Sequence, residues 1–67
     1  MNQIKKIRLK LKLKQDEFSK SIKISQSSLS LIECGERKPS LRALYYLRTK
    51  YNVDLNKLVK KLIQETK

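Results

Sequence analysis

Apolar residues recur along this chain with the period of a helix. Ile4, Ile7 and Leu11, with Arg8 among them, fall at i, i+3, i+7 and i+4, which is one face of a helix. That spacing predicts a first helix over residues 2–12, with Lys5, Lys6, Lys10 and Lys12 on its other faces. Leu9 to Lys14 reads LKLKLK, the alternation of a strand. Helix is preferred because the preceding turn has already set the 3.6-residue period, and Leu13 is expected to plug the core from the turn that follows.

A second helix is predicted over 15–21, with Phe18 and Ile22 inward and Ser19 small enough for a close neighbour. Lys14 stands where a capping Ser or Thr would be expected, and Asp16 and Glu17 partly offset its absence through the helix dipole. Lys23, Ile24 and Ser25 form a tight turn. Ser25 then caps a third helix over 26–33, its hydroxyl accepting an orphan backbone N–H. On a helical wheel Leu29, Ile32 and Glu33 face inward. Ser27, Ser30, Leu31 and Cys34 face outward, with Gln26 at the leading edge, and that outward face is nearly free of charge.

Glu33 is the misfit in this pattern. A carboxylate facing inward in the last turn of a helix is opposed by burial and by the dipole, so it requires a cation. Arg8 is the one cation on the inward face of the first helix, and an Arg8–Glu33 pair is expected, fixing orientation more than adding net stability. Gly35 is expected at positive φ after the third helix. Pro39 pushes Lys38 toward extended backbone. Ser40 caps a fourth helix over 41–51, with Leu41, Leu44, Leu47 and Tyr51 as its apolar stripe, and Asn52 is suited to the left-handed position that ends it. Asp54 caps a fifth over 55–65, where Leu55, Leu58, Val59, Leu62 and Ile63 give a wide apolar face. The result is an all-α fold of five short helices in one domain, residues 1–67.

Charge narrows the function. The 17 Lys and Arg outweigh 6 Asp and Glu, a formal net charge of +11, which calls for a polyanionic partner, most commonly nucleic acid for a small basic globule. With no histidine and one cysteine, neither a disulfide nor a zinc site is expected, and Cys34 reads as a free thiol. No cofactor, metal or small-molecule ligand is expected. Catalysis is excluded on the same grounds: there is no histidine, no Gly-rich phosphate loop and no cleft-forming length, and the adjacent Asp16 and Glu17 diverge on a helix. No apolar run approaches a membrane span, and a soluble, cytoplasmic, nucleoid-associated protein is expected.

The combination I-S-Q-S-S-L-S-x-I-E-x-G followed by P-S, with Arg8, Gln15, Phe18, Leu44 and Val53 at their spacings, resembles the phage-repressor/Cro-type helix-turn-helix family, also called the xenobiotic-response-element family, over roughly residues 1–60. The resemblance implies a five-helix DNA-binding domain, a homodimer on a palindromic double-stranded operator, acting as repressor or activator. It implies that Gln15 touches phosphate, that Gln26, Ser27 and Leu31, with Ser30 beside them, read bases, and that Arg37 and Lys38 hold phosphate in the loop that follows. Of Lys5, Lys6, Lys10, Lys12 and Lys14, one or two near the turn between the first two helices, Lys14 among them, are expected to join these phosphate contacts, and the rest to form a solvated face that adds long-range attraction. Three positions depart from the family pattern: Lys23 stands for the usual turn glycine, Ser19 for the usual alanine, and Leu31 for an often polar residue.

Each of these has a plainer alternative. Gln26 matches the bidentate chemistry of adenine, against a solvated first-turn residue. Leu31 and Cys34 suit thymine methyls, but scattered surface apolar residues are common, and for Cys34 the plain surface reading is preferred. Leu58, Val59, Leu62 and Ile63 suit a two-fold interface, against an intramolecular core. At the level of function, sequence-specific transcriptional regulation leads. A protein-interaction module, such as an antitoxin-like partner of an acidic protein, is the second reading. An RNA-binding protein is the third, with few aromatic residues left for stacking bases.

Overall fold

The computed structural model describes residues 2–65, and among them it contains five α-helices and no strand. These are α1 (Gln3–Lys10), α2 (Gln15–Ser21), α3 (Gln26–Glu33), α4 (Leu41–Tyr51) and α5 (Leu55–Glu65). The core is one cluster fed by every helix: Ile4 from α1, Phe18 and Ile22 from α2 and its end, Leu29 and Ile32 from α3, Ala43 and Leu47 from α4, and Leu58 from α5. The described chain measures 28 × 23 × 21 Å.

Helix starts follow the cap chemistry. The Ser25 hydroxyl accepts from the Ser28 N–H at 3.1 Å, the Ser40 hydroxyl from Ala43 at 3.1 Å, and the Asp54 carboxylate from Lys57 at 3.2 Å. Two starts differ from expectation. Asn2 is not the first residue of α1 but its N-cap: its Oδ1 accepts from the Ile4 N–H at 2.7 Å, while its Nδ2 donates to the Ile32 carbonyl at 3.0 Å. One amide thus begins α1 and ties it to the end of α3. At α2 the Glu17 side chain reaches back and accepts from the Lys14 N–H at 3.0 Å, the half of a capping box that a lysine at the N-cap leaves available.

The corners are built from left-handed residues. Lys12 (φ 60°), Lys23 (φ 60°), Gly35 (φ 83°) and Asn52 (φ 54°) follow α1, α2, α3 and α4. After each of the first three helices the backbone closes in the Schellman pattern: Leu13 N–H to Arg8 O at 3.2 Å, Ile24 N–H to Ser19 O at 3.0 Å, and Glu36 N–H to Leu31 O at 3.0 Å. The residues that follow the left-handed lysines, Leu13 and Ile24, pack on the core, the hydrophobic contact that accompanies this motif. This shortens the first helix from the expected 2–12, because Leu11 is its C-cap and Lys12 has already turned. Gly35 has open space where a Cβ would stand, so its backbone angle, not crowding, is what favours glycine there.

Two apolar expectations are corrected. Leu41 does not belong to the α4 stripe: it is 86% exposed, since the first residue after the Ser40 cap precedes the turn that meets the core. Ala43 and Leu47 are the buried residues of α4. Leu58, expected at a two-fold interface, is 4% exposed inside its own chain.

A lysine in the left-handed region carries about 1 kcal/mol of strain that glycine avoids. Lys12→Gly and Lys23→Gly are each expected to raise unfolding free energy by up to about 1 kcal/mol, while Lys20→Gly, in the body of α2, lowers it by about 1 kcal/mol. Urea denaturation of the three variants checks this: a destabilised Lys23→Gly would show that the lysine side chain, not its backbone angle, matters at the turn.

Candidate nucleic-acid interface

The α2–α3 unit is held at its base by Arg8. The guanidinium meets Glu33 through two parallel bonds, Nε to Oε2 at 2.8 Å and Nη2 to Oε1 at 3.1 Å. Its remaining arm, Nη1, donates to the Leu13 carbonyl at 3.0 Å. The side chains are 13% and 4% exposed, and among the described residues no buried side-chain polar atom lacks a partner. A bidentate pair with its spare valences satisfied is the arrangement in which a buried ion pair repays its desolvation. It joins α1, the α1–α2 turn and the last turn of α3 in one network.

That network reaches the outer face. The Gln15 Nε2 donates to Glu33 Oε1 and the Gln26 Nε2 donates to Gln15 Oε1, both at a long 3.4 Å. Gln15 is half-buried and Gln26 exposed. The buried carboxylate therefore sets which end of the Gln15 amide faces out, and Gln15 in turn braces the first side chain of α3.

The exposed face of α3 carries Gln26, Ser27, Ser30 and Cys34, with Leu31 half-buried beside them. Ser25 is part of this end: its hydroxyl donates to Ser28 Oγ at 2.9 Å and lies 3.3 Å from Ser27 Oγ. Cys34 is a free thiol that donates to the Ser30 carbonyl at 3.0 Å. An α-helix with its side chains is about 10–12 Å across, which fits a major groove about 12 Å wide.

Cations flank this face. Arg37 is folded back along α3, its N–H donating to the Leu31 carbonyl at 3.2 Å and its Nη1 to Ser28 Oγ at 3.1 Å. Lys38 follows it, and Lys14 begins α2; both are exposed. Ser28 was invisible to the helical wheel as a functional position. Its signal is its place three residues after the Ser25 cap, which turns its hydroxyl toward the returning loop. Of the residues expected at a two-fold interface, Leu58 lies in the core, Leu62 is half-buried against it, and Val59 and Ile63 are 40% and 67% exposed. With Leu44, Pro39 and Lys38, the last three line a groove of about 300 Å³.

Five helices, a capped eight-residue α3 packed on α2, and a polar face flanked by cations define a DNA-binding helix-turn-helix protein. The helix-turn-helix family model of the phage-repressor/Cro type matches residues 4–58, most of the chain, and the chain belongs to that family. The family is one of DNA-binding, non-catalytic domains. No curated protein and no solved structure gives a significant match. Among the described residues, no helix is long and apolar enough to cross a membrane.

Glu33→Ala leaves Arg8 charged with only 13% of its side chain exposed, and removing one partner of such a pair typically costs about 3–5 kcal/mol. At about 0.05–0.15 kcal/mol per residue, that is a large fraction of the total stability of a 67-residue chain. Arg8→Met/Glu33→Met removes both charges and is expected to lose less than Glu33→Ala alone. Chemical denaturation of both variants measures the difference; equal losses would show that desolvation of the pair is not what the geometry offsets.

Proposed function

We propose that this protein is a sequence-specific transcriptional regulator that acts by occupying a palindromic operator as a homodimer inside the cell. The observation that carries the reading is the neutral outward face of α3, Gln26, Ser27 and Ser30, set between the cations Lys14, Arg37 and Lys38 in a chain of net charge +11. Base edges are read by uncharged hydrogen-bonding groups, and phosphates by cations and amides around them. In this reading Gln26 meets adenine, Ser27, Ser30 and the exposed edge of Leu31 supply shorter contacts, and Gln15, Lys14, Arg37 and Lys38 hold the backbone. The described chain is 28 Å in its longest dimension. Two recognition helices one DNA turn apart stand about 34–36 Å from each other, so a two-fold site takes two copies. Val59 and Ile63, exposed on α5 beside the half-buried Leu62, supply the apolar contact between them. In this reading repression or controlled activation follows from occupancy of the operator.

The test starts from a duplex selected out of a random-sequence pool. The wild type is expected to bind it far more tightly than scrambled DNA, with affinity falling about 10³–10⁵-fold from 50 to 200 mM salt for about 6–10 phosphate contacts. Gln26→Ala should lose about 1–3 kcal/mol of discrimination at one base pair per half-site, whereas Lys38→Ala weakens all duplexes alike. Equal affinity of the wild type for selected and scrambled DNA would contradict the proposal. Ile63→Asp should give a monomeric mass at tens of micromolar, binding half-sites but not favouring two; a wild type already monomeric on the selected duplex would sink the dimer.

A further inference from the structure

A second charged surface lies on the other side of α1. Lys6 and Lys10 from α1 face Lys57 and Lys61 from α5 across a groove of about 410 Å³. All four ammonium groups are on exposed residues. Each pair is spaced i, i+4 on its own helix, an arrangement in which like charges destabilise a helix. Asp54 is the one carboxylate lining the groove among the described residues, and its Oδ1 already accepts from the Lys57 backbone N–H. Among those residues the ion pair formed is Arg8–Glu33, so one carboxylate lines the groove against four cations.

The groove is not the DNA face. At about 100° per residue, Lys6 and Lys10 stand about 160° around α1 from Arg8, and Arg8 is the residue that turns toward α3. On α5, Lys57 and Lys61 lie about 120–160° from Val59 and Ile63 by the same count. A body seated between α1 and α5 therefore leaves both the α3 face and the apolar flank of α5 free.

The floor identifies the chemistry. Ile7 and Val53, half-buried against the core, form its base together with the buried Leu58. A nucleic-acid backbone or a lipid headgroup layer would satisfy the lysines and leave the exposed parts of Ile7 and Val53 in water. We propose that the α1–α5 groove docks a short acidic amphipathic protein segment. Its carboxylates, one helical turn apart, pair with Lys6, Lys10, Lys57 and Lys61, and its apolar side chains seat on Ile7 and Val53. Such a site lets a DNA-bound copy engage a second protein through the face it turns to solvent.

The probe is a fluorescein-labelled amphipathic helical peptide of Glu and Leu, titrated by anisotropy into the free protein and into the protein held on its selected duplex. Binding is expected in both, with amide NMR shifts centred on Lys6, Ile7, Val53 and Lys57. Lys6→Gln/Lys10→Gln/Lys57→Gln/Lys61→Gln should weaken the peptide about tenfold or more, since close charge pairs dominate such complexes. Lys20→Gln/Lys23→Gln/Arg42→Gln/Lys50→Gln, which removes the same charge elsewhere, should leave it within about twofold. The free-protein titration stands even if DNA recognition fails, so the two readings are tested separately. Equal loss in both quadruple variants, shifts centred on α3, equal affinity for polyglutamate, or tighter groove binding of a duplex or of phosphatidylserine vesicles would each overturn the proposal.

Discussion

The orientation of α3 depends on one buried ion pair. Helix α3 is only eight residues long, too short to be stable alone, and its angle is fixed by what its ends touch. At the C-terminal end Glu33 is held by two bonds from Arg8, and the Ile32 carbonyl by the Asn2 amide. Both anchors come from the start of the chain, 25 and 30 residues away in sequence. An apolar pair of similar volume would fill the same space, but without direction. The planar fork of arginine matches a carboxylate in one geometry, so the pair specifies an angle that methyl groups would leave soft.

The corners set the second constraint. Four helices end in left-handed residues, and two of these are lysines, so the chain carries backbone strain at both ends of α2. That strain is tolerated because the next residue in each case, Leu13 or Ile24, drops onto the core. In a domain this small the core is thin, and each such contact is a sizeable fraction of the whole. Tyr51 adds a tie of the same kind, its ring 5.9 Å from Phe18 and its hydroxyl donating to Ser21 Oγ at 2.7 Å, which couples α4 to the end of α2.

Much of this was legible from the sequence. Periodicity and caps locate all five helices, and α2 to α5 begin where Lys14, Ser25, Ser40 and Asp54 place them. Glu33 announced its need for a cation because a charge broke an apolar face. Three features were not legible. Asn2 has two roles, cap and cross-link, and the second depends on a carbonyl thirty residues away. Lys12 has the left-handed angle of Gly35, Asn52 and Lys23, but Gly35 and Asn52 advertise it by residue type and Lys23 by standing where the family pattern has a glycine, and Lys12 does neither. Leu41 and Leu58 have the same hydrophobicity and opposite environments, since helical phase at a first turn and the depth of a terminal helix are decided by tertiary packing. At the interface, the outward face of α3 followed from its wheel, whereas the Gln15 and Ser28 links depend on side-chain reach that spacing does not encode.

Three surfaces then divide one small body: a neutral polar face on α3, an apolar flank on α5, and a lysine-lined groove between α1 and α5. The buried pair matters to the first above all. Its central role is tested most directly by the ratio of selected-site to scrambled-site affinity in Arg8→Met/Glu33→Met, measured at one salt concentration on protein shown by circular dichroism to be folded. If the pair sets the angle of α3, the ratio falls by about tenfold or more while affinity for scrambled DNA, a matter of net cations, stays near the wild type. A folded double variant that keeps the full ratio would contradict the account, because α3 would then be held in reading position by its apolar contacts alone.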